Sequence, residues 1–147
     1  MNYEISLPIL EDLSGYKELL FLDPSSPRSQ RASLDLIAQY FKKEFRYDHR
    51  QYDADDHRTD CTGVLICEKA MDLVKDSDHF PNRVIGGACF WAIDSNNYCL
   101  DWVWLHPFAR NRHKLSELWP RFKEKYGSFT VTHPLSAHME SFLKKHQ

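Results

Sequence analysis

A chain of 147 residues and 17.4 kDa matches one domain built around one core, and 42% hydrophobic against 27% charged residues supports a packed interior over disorder. The net charge of −2 sets up no global field that draws the chain onto nucleic acid or an anionic membrane. No apolar run approaches the ~20 residues of a bilayer span, and the start MNYEISLPIL lacks the basic head and small-residue cleavage site of a secretory signal, so the expectation is a cytoplasmic protein.

Ile9, Leu13, Tyr16 and Leu20 recur at helical spacing, and Leu34, Ile37, Phe41 and Phe45 do so again after the break DPSSP, so two amphipathic helices are predicted. Tyr3 to Ser6 is a weak candidate for a first edge strand. Residues 48–60 hold five Asp and two Arg with little that is apolar, the composition of a solvated loop. The period then changes. CTGVLICE (61–68), VIGGACFWAI (84–93) and YCLDWVWL (98–105) read as three strands, the last with Tyr98, Leu100, Trp102 and Trp104 on one face. Asp94 to Asn97 is a turn of residues that satisfy their own backbone, which makes the second and third strands an antiparallel hairpin. After His106-Pro107 and the basic run RNRHK come a helix ending at Gly127, a strand over 128–133 and a last short helix carrying Met139, Phe142 and Leu143. Pro120 sits comfortably only if the first of these helices starts near Ser116, placing the proline in its first turn. The element order implies an α/β (α+β) domain over 1–147: a helical part with the acidic loop over 1–60, then a mixed, mostly antiparallel sheet flanked by helices over 61–147.

The junction Leu100 to Trp119 concentrates the chemistry. A strand feeds through a cation cluster into a helix, whose first turn has backbone N–H groups without intrahelical partners and a positive dipole end. Six Lys or Arg against two Glu lie between residues 110 and 125, so a phosphate there would meet Arg110, Arg112 and Lys114 together with main-chain amides. The same cations could equally solvate a loop and helix. Cys61, Cys67, Cys89 and Cys99 are too irregularly spaced for a disulfide framework and read as reduced thiols packed as small hydrophobes. With His49 and His57 they match no zinc spacing, the Asp-rich loop lacks the glycine and terminal Glu of a calcium loop, and no metal is expected. The loop could form one wall of a cleft for a cationic substrate. The four Trp are core residues rather than base-stacking platforms, because the chain carries no net basic sheet.

In this stretch, IGGACFWAI, then YCLDWVWL, then LHPFARNRHKLSEL, and finally FTVTHPLSAHMESFLKKH, the sequence resembles the GNAT superfamily of acyl-CoA-dependent N-acetyltransferases over about residues 84–146. In that family the signature Arg/Gln-x-x-Gly-x-Gly/Ala presents amides to the pyrophosphate of CoA. Arg110 stands at its first position, Leu118 at the following helical Leu, and His113 and Leu115 at its two glycines. The resemblance implies a GNAT-like fold and acetyl-CoA held by Val103, Trp104, Leu105, Arg110, Asn111, Arg112, His113, Lys114, Leu115 and Ser116, with Ser136 in the place of the family's Asn. It implies acetyl transfer to an amine of a small molecule or protein, by direct attack on the thioester.

Two proton transfers accompany such a reaction. Asp101, or less readily Asp94, is the candidate base for the amine; on an alternating strand Asp101 is also the residue a polar surface would carry. Ser141, His138 and Tyr98 are candidate acids for the thiolate, since Leu143 occupies the position of the family's usual Tyr, and water can serve instead. The competing expectation is a noncatalytic GNAT-like module that binds CoA or another protein. Neither reading involves nucleic acid or membrane, and both leave a homodimer open.

Overall fold

A computed structural model describes residues 6–10, 18–47, 52–55, 61–69, 81–110, 113–131 and 137–146. Three strands form the centre: β3 (Cys61–Lys69), β4 (Asn82–Ala92) and β5 (Tyr98–Leu105), each antiparallel to the next. Their β-branched and aromatic residues suit a pleated surface buried on both sides. β2 (Leu19–Leu22) lies antiparallel on β3, and β6 (Thr130–Val131) lies parallel on β5. β1 (Ile9–Leu10) pairs with Arg83 and Asn82 at the start of β4, on the side that β5 has by then left, because β3 holds the other side. The sheet is therefore mixed and mostly antiparallel, in the order β2-β3-β4-β5-β6 with β1 beside β4.

Helices cover both faces. α1 (Arg28–Phe45) buries Leu34, Ile37, Ala38, Tyr40 and Phe41 with Leu65, Cys67, Cys89, Trp102 and Trp104 of the sheet. Gly63 and Gly87 make that approach close: a Cβ on either would come within 2.3 and 2.6 Å of the Leu34 side chain. α2 (Lys114–Tyr126) and α3 (Ala137–His146) cover the opposite face, where Leu118, Trp119, Phe122, Tyr126 and Leu143 meet Val64, Ile66, Phe90 and Leu100. Phe90 sits at the centre of this layer, stacked on Tyr126 at 4.1 Å and edge-on to Phe122 and Phe129.

Several expectations are met and several are corrected. The helix carrying Leu34 to Phe45, the three central strands, the hairpin at Asp94 to Asn97 and the last helix are all present. The first predicted helix is not: Ile9 lies in β1 and Leu20 in β2, while Leu13 and Tyr16 fall outside the described residues. An apolar spacing of three and four also serves two short strands when each is edge-paired, and pairing decided the outcome here. Ser6 is irregular, and Tyr3 to Ile5 lie outside the described residues. α2 starts at Lys114 rather than Ser116, so Pro120 stands inside the helix, on its exposed side, without an N–H for the carbonyl of Ser116.

The predicted single face of β5 is also corrected. Cys89 pairs with Trp102, but the next residue of β4, Phe90, pairs with Leu100, which leaves Asp101 as an extra residue in β5. Such a bulge shifts the alternation by one. Tyr98 and Leu100 accordingly face the α2/α3 layer, whereas Trp102 and Trp104 face α1.

Candidate functional site

The end of β5 is where main chain becomes available. The His106 N–H donates to the Ile85 carbonyl at 2.7 Å, and the register Gly87–Trp104 and Cys89–Trp102 follows in step. In an antiparallel ladder, residues that exchange bonds with the neighbour alternate with residues whose groups point away. Trp102 and Trp104 therefore bond toward β4, and the amides of Val103 and Leu105 point to the opposite edge. β6 pairs there only with Cys99 and Leu100, so beyond the Asp101 bulge this edge has no strand partner among the described residues. The Leu105 carbonyl on the same edge accepts from Arg110 Nε at 2.8 Å.

β5 runs through His106 into a single 3-10 turn, Pro107–Ala109, whose proline stands at its first position and whose Phe108 N–H donates to His106 Nδ1 at 3.1 Å. His113 then enters α2 with φ of 59°, in the left-handed region. The sequence resemblance sets a glycine at this position, and histidine is among the side chains that tolerate the left-handed region. The first intrahelical bond is Glu117 N–H to His113 C=O, and no side chain caps the helix. The amides of Lys114, Leu115 and Ser116 precede that bond at the positive end of the helix dipole.

Two of the expected anion ligands already have carboxylate partners. Arg110 grips Glu44 of α1 with both Nη atoms, at 2.8 and 2.6 Å, and its guanidinium lies 5.6 Å from the Trp104 ring. Trp104 Nε1 donates to the same carboxylate at 3.0 Å, so Trp104 serves the α1 layer with its side chain. Burial pushes the Glu44 carboxyl up, but the bonds from Arg110 and Trp104 and the charge of Arg110 outweigh it and hold it below its usual range. Lys114 bonds Glu18, which also takes Arg121 Nη1 at 2.6 Å, so Lys114 reaches toward β2, across the sheet from the open edge. Leu115 and Ser116 are half-buried; Asn111, Arg112 and Ser136 fall outside the described residues.

Asp101 occupies the bulge itself, half-buried, close to Cys89 and bonded by the Trp91 indole. Burial raises its pKa above the ordinary carboxylate value, with the Trp91 bond opposing. Asp94, the second candidate base, is a turn residue. It accepts from the Asn96 N–H and from Asn97 Nδ2, which lowers its pKa, and it is exposed. Ser141 is exposed on α3, Tyr98 packs 4.9 Å from Tyr126, and the His138 side chain is outside the described residues. Leu143 is buried in the core between α3 and the sheet. The thiols match a structural role: burial raises Cys67 to about 12 and Cys89 well above its usual value, and all four cysteines are free. Among the described residues no group of His, Cys, Asp and Glu could hold a metal, and no helix is long and apolar enough to cross a membrane.

Glu44 and Glu18 are the residues that sequence reasoning missed. For Glu44 a signal existed, because it follows Ile37 and Phe41 at helical spacing and so interrupts an apolar stripe with a charge.

No protein-family model and no curated protein sequence matches the chain. Solved structures do share its fold. The ribosomal-protein-alanine N-acetyltransferase of Brucella melitensis biovar Abortus 2308 superposes with a TM-score of 0.51 at 9% identity, covering 88% of this chain and 89% of that one. GCN5 of Tetrahymena gives 0.52 at 14% identity, over 96% and 77%. An aminoglycoside acetyltransferase from an uncultured soil metagenomic sample, solved with sisomicin, gives 0.51 at 11%, over 86% and 84%. At these identities the likeness is one of architecture. The likeness places this mixed, mostly antiparallel six-stranded sheet, with α1 on one face and α2 and α3 on the other, in the fold of the GNAT acetyltransferases.

Proposed function

We propose that the chain is an acetyl-CoA-dependent N-acetyltransferase acting on an amine. The observation that carries the reading is the bulged end of β5: two amides, of Val103 and Leu105, face an edge without a strand partner among the described residues, ahead of the 3-10 turn and loop that lead to the start of α2. Donors fixed in a strand are suited to a thioester carbonyl, because they need no reorganisation as charge develops on its oxygen. The amides of Lys114 and Leu115 suit a diphosphate, and the left-handed His113 supports the family's turn without its glycine.

In this reading Asp101 removes a proton from the bound ammonium, and the nitrogen attacks the acetyl carbon. The carbon–sulfur bond breaks, and the thiolate takes its proton from water, because Leu143 supplies none. Arg110 keeps the edge in shape by holding the Leu105 carbonyl and Glu44, with two guanidinium hydrogens left for a phosphate oxygen.

Calorimetry with acetyl-CoA, followed by thiol release across a panel of amines, tests the proposal. Binding with thiol release supports it, and an absence of binding at low salt overturns it. Binding without release from any amine would favour a CoA-binding module, the reading to which the buried Leu143 gives weight.

A further inference from the structure

The α1 side of the same edge carries an aromatic cluster that the donor site does not use. The bulge sets Asp101 beside Trp102 on the α1 face, next to Cys89 and Trp91. Trp102 packs 5.3 Å from Phe41, which stacks on Tyr47 at 5.2 Å and meets Phe45 at 5.0 Å. Phe41 and Trp102 are buried, whereas Phe45 and Tyr47 are 42% and 38% exposed. The apolar layer between α1 and the sheet thus reaches solvent at the last turn of α1, through a chain of rings that begins at Trp102, the neighbour of Asp101 in β5. The Trp102 indole N–H is buried in this same cluster, beside the Cys89 thiol.

The charges around this opening are not uniform. Asp101 is the acid within the cluster, while Lys42, Lys43 and Arg46 bring positive charge to the same end of α1, and Glu44 is taken by Arg110. Among the described residues one ammonium has a counter-charge there, and a second along the same ligand would meet Lys42, Lys43 and Arg46.

Resting on the transferase reading above, we infer that the bulged end of β5 and the last turn of α1 form the acceptor subsite for a monoamine carried on an aryl or other apolar arm. The ammonium pairs with Asp101, and the arm covers Phe45 and Tyr47, taking their exposed faces out of water.

Two measurements on the full chain test this. Binding is read without any donor, from the shift of the Trp102 indole resonance on titration with 2-phenylethylamine, ethylamine or spermidine. Transfer is read as kcat/KM for the same amines. The expected result is tighter binding of 2-phenylethylamine and a preference of about tenfold or more over ethylamine and spermidine, the size that a few apolar contacts supply. Phe45 and Tyr47 lie at the surface, so the double variant F45A/Y47A folds, and the preference should collapse mainly through KM. Equal or better binding of spermidine, or a preference that survives in F45A/Y47A, overturns the inference. If acetyl-CoA binds and ethylamine is acetylated without that preference, only the acceptor assignment fails. If 2-phenylethylamine binds as expected but acetyl-CoA does not, the subsite stands and the transferase reading falls.

Discussion

Replacing Asp101 by Asn separates a catalytic role from a structural one, because the two make opposite demands on stability. Asn has nearly the same shape and keeps an oxygen for the Trp91 indole, so the local packing is preserved. The folded pKa of Asp101 is raised, chiefly by burial, with the Trp91 bond opposing. Between the unfolded value and the raised folded value, the native state therefore holds a proton that the unfolded chain has released. Stability attributable to this group is lost as pH rises through that window, and at neutral pH its charge works against folding. D101N should thus melt at the same temperature as the parent or higher at pH 7, and the two should converge below the unfolded pKa. As the base for the amine, the same carboxylate should contribute about 10²–10⁴ in rate. Steady-state thiol release at pH 7–8 should fall by that factor in D101N, with acetyl-CoA affinity unchanged by calorimetry. The acid limb of the kcat/KM profile belongs to the free enzyme's base, and it should disappear with the side chain. A D101N rate within threefold of the parent would refute the assignment, and a clear drop in melting temperature would show that Asp101 is a paired structural charge.

Glu44→Gln should loosen the joint between α1 and the end of β5, since the amide keeps one acceptor oxygen without its charge and sets an NH2 donor against the other Arg110 Nη. A loss of about 1–3 kcal/mol in urea unfolding at pH 7 is expected. The folded pKa of Glu44 is lowered, so its contribution is present above the unfolded value and disappears as pH falls through the folded one. Parent and variant should therefore converge in acid, and a pH-independent difference would count against the pairing. His113→Gly places the residue of lowest strain at a left-handed position, and stability should hold or rise by about 1 kcal/mol. Acetyl-CoA affinity should not weaken, and a loss of affinity on calorimetry would mean that the imidazole itself contacts the ligand.

The sheet was legible in the sequence because its signals are local. β-branched and aromatic runs, an Asp-Ser-Asn-Asn turn and a helix with an apolar stripe from Leu34 to Phe41 each declare themselves within one element. The partners of the cations were not legible. Arg110 and Glu44 are 66 residues apart, and Lys114 and Glu18 are 96 apart, so their pairing depends on where α1 ends against β5 and where α2 begins relative to β2. A basic run announces its charge but not which part of it the fold has already neutralised. The start of the chain misled for a related reason. Two short strands stabilised by their neighbours in the sheet present the same apolar spacing as one amphipathic helix, and only the tertiary pairing tells them apart.

The Asp101 bulge is where fold and candidate chemistry coincide. In YCLDWVWL a strict alternation would set Leu100, Trp102 and Trp104 on one face, and neither helix layer would then be filled as it is. One additional residue turns the two indoles toward α1, where Trp104 reaches Glu44 and Trp102 reaches Phe41, and leaves Leu100 to α2 and α3. The same residue sets which amides point outward, because the phase that sends Trp102 and Trp104 to β4 sends Val103 and Leu105 to the edge. It also seats a carboxylate in a half-buried place that a regular strand would have given to a neighbour of the other face. The packing of both layers, the outward amides and the raised acid all follow from that one insertion, so each supports the others as evidence of how the strand is used.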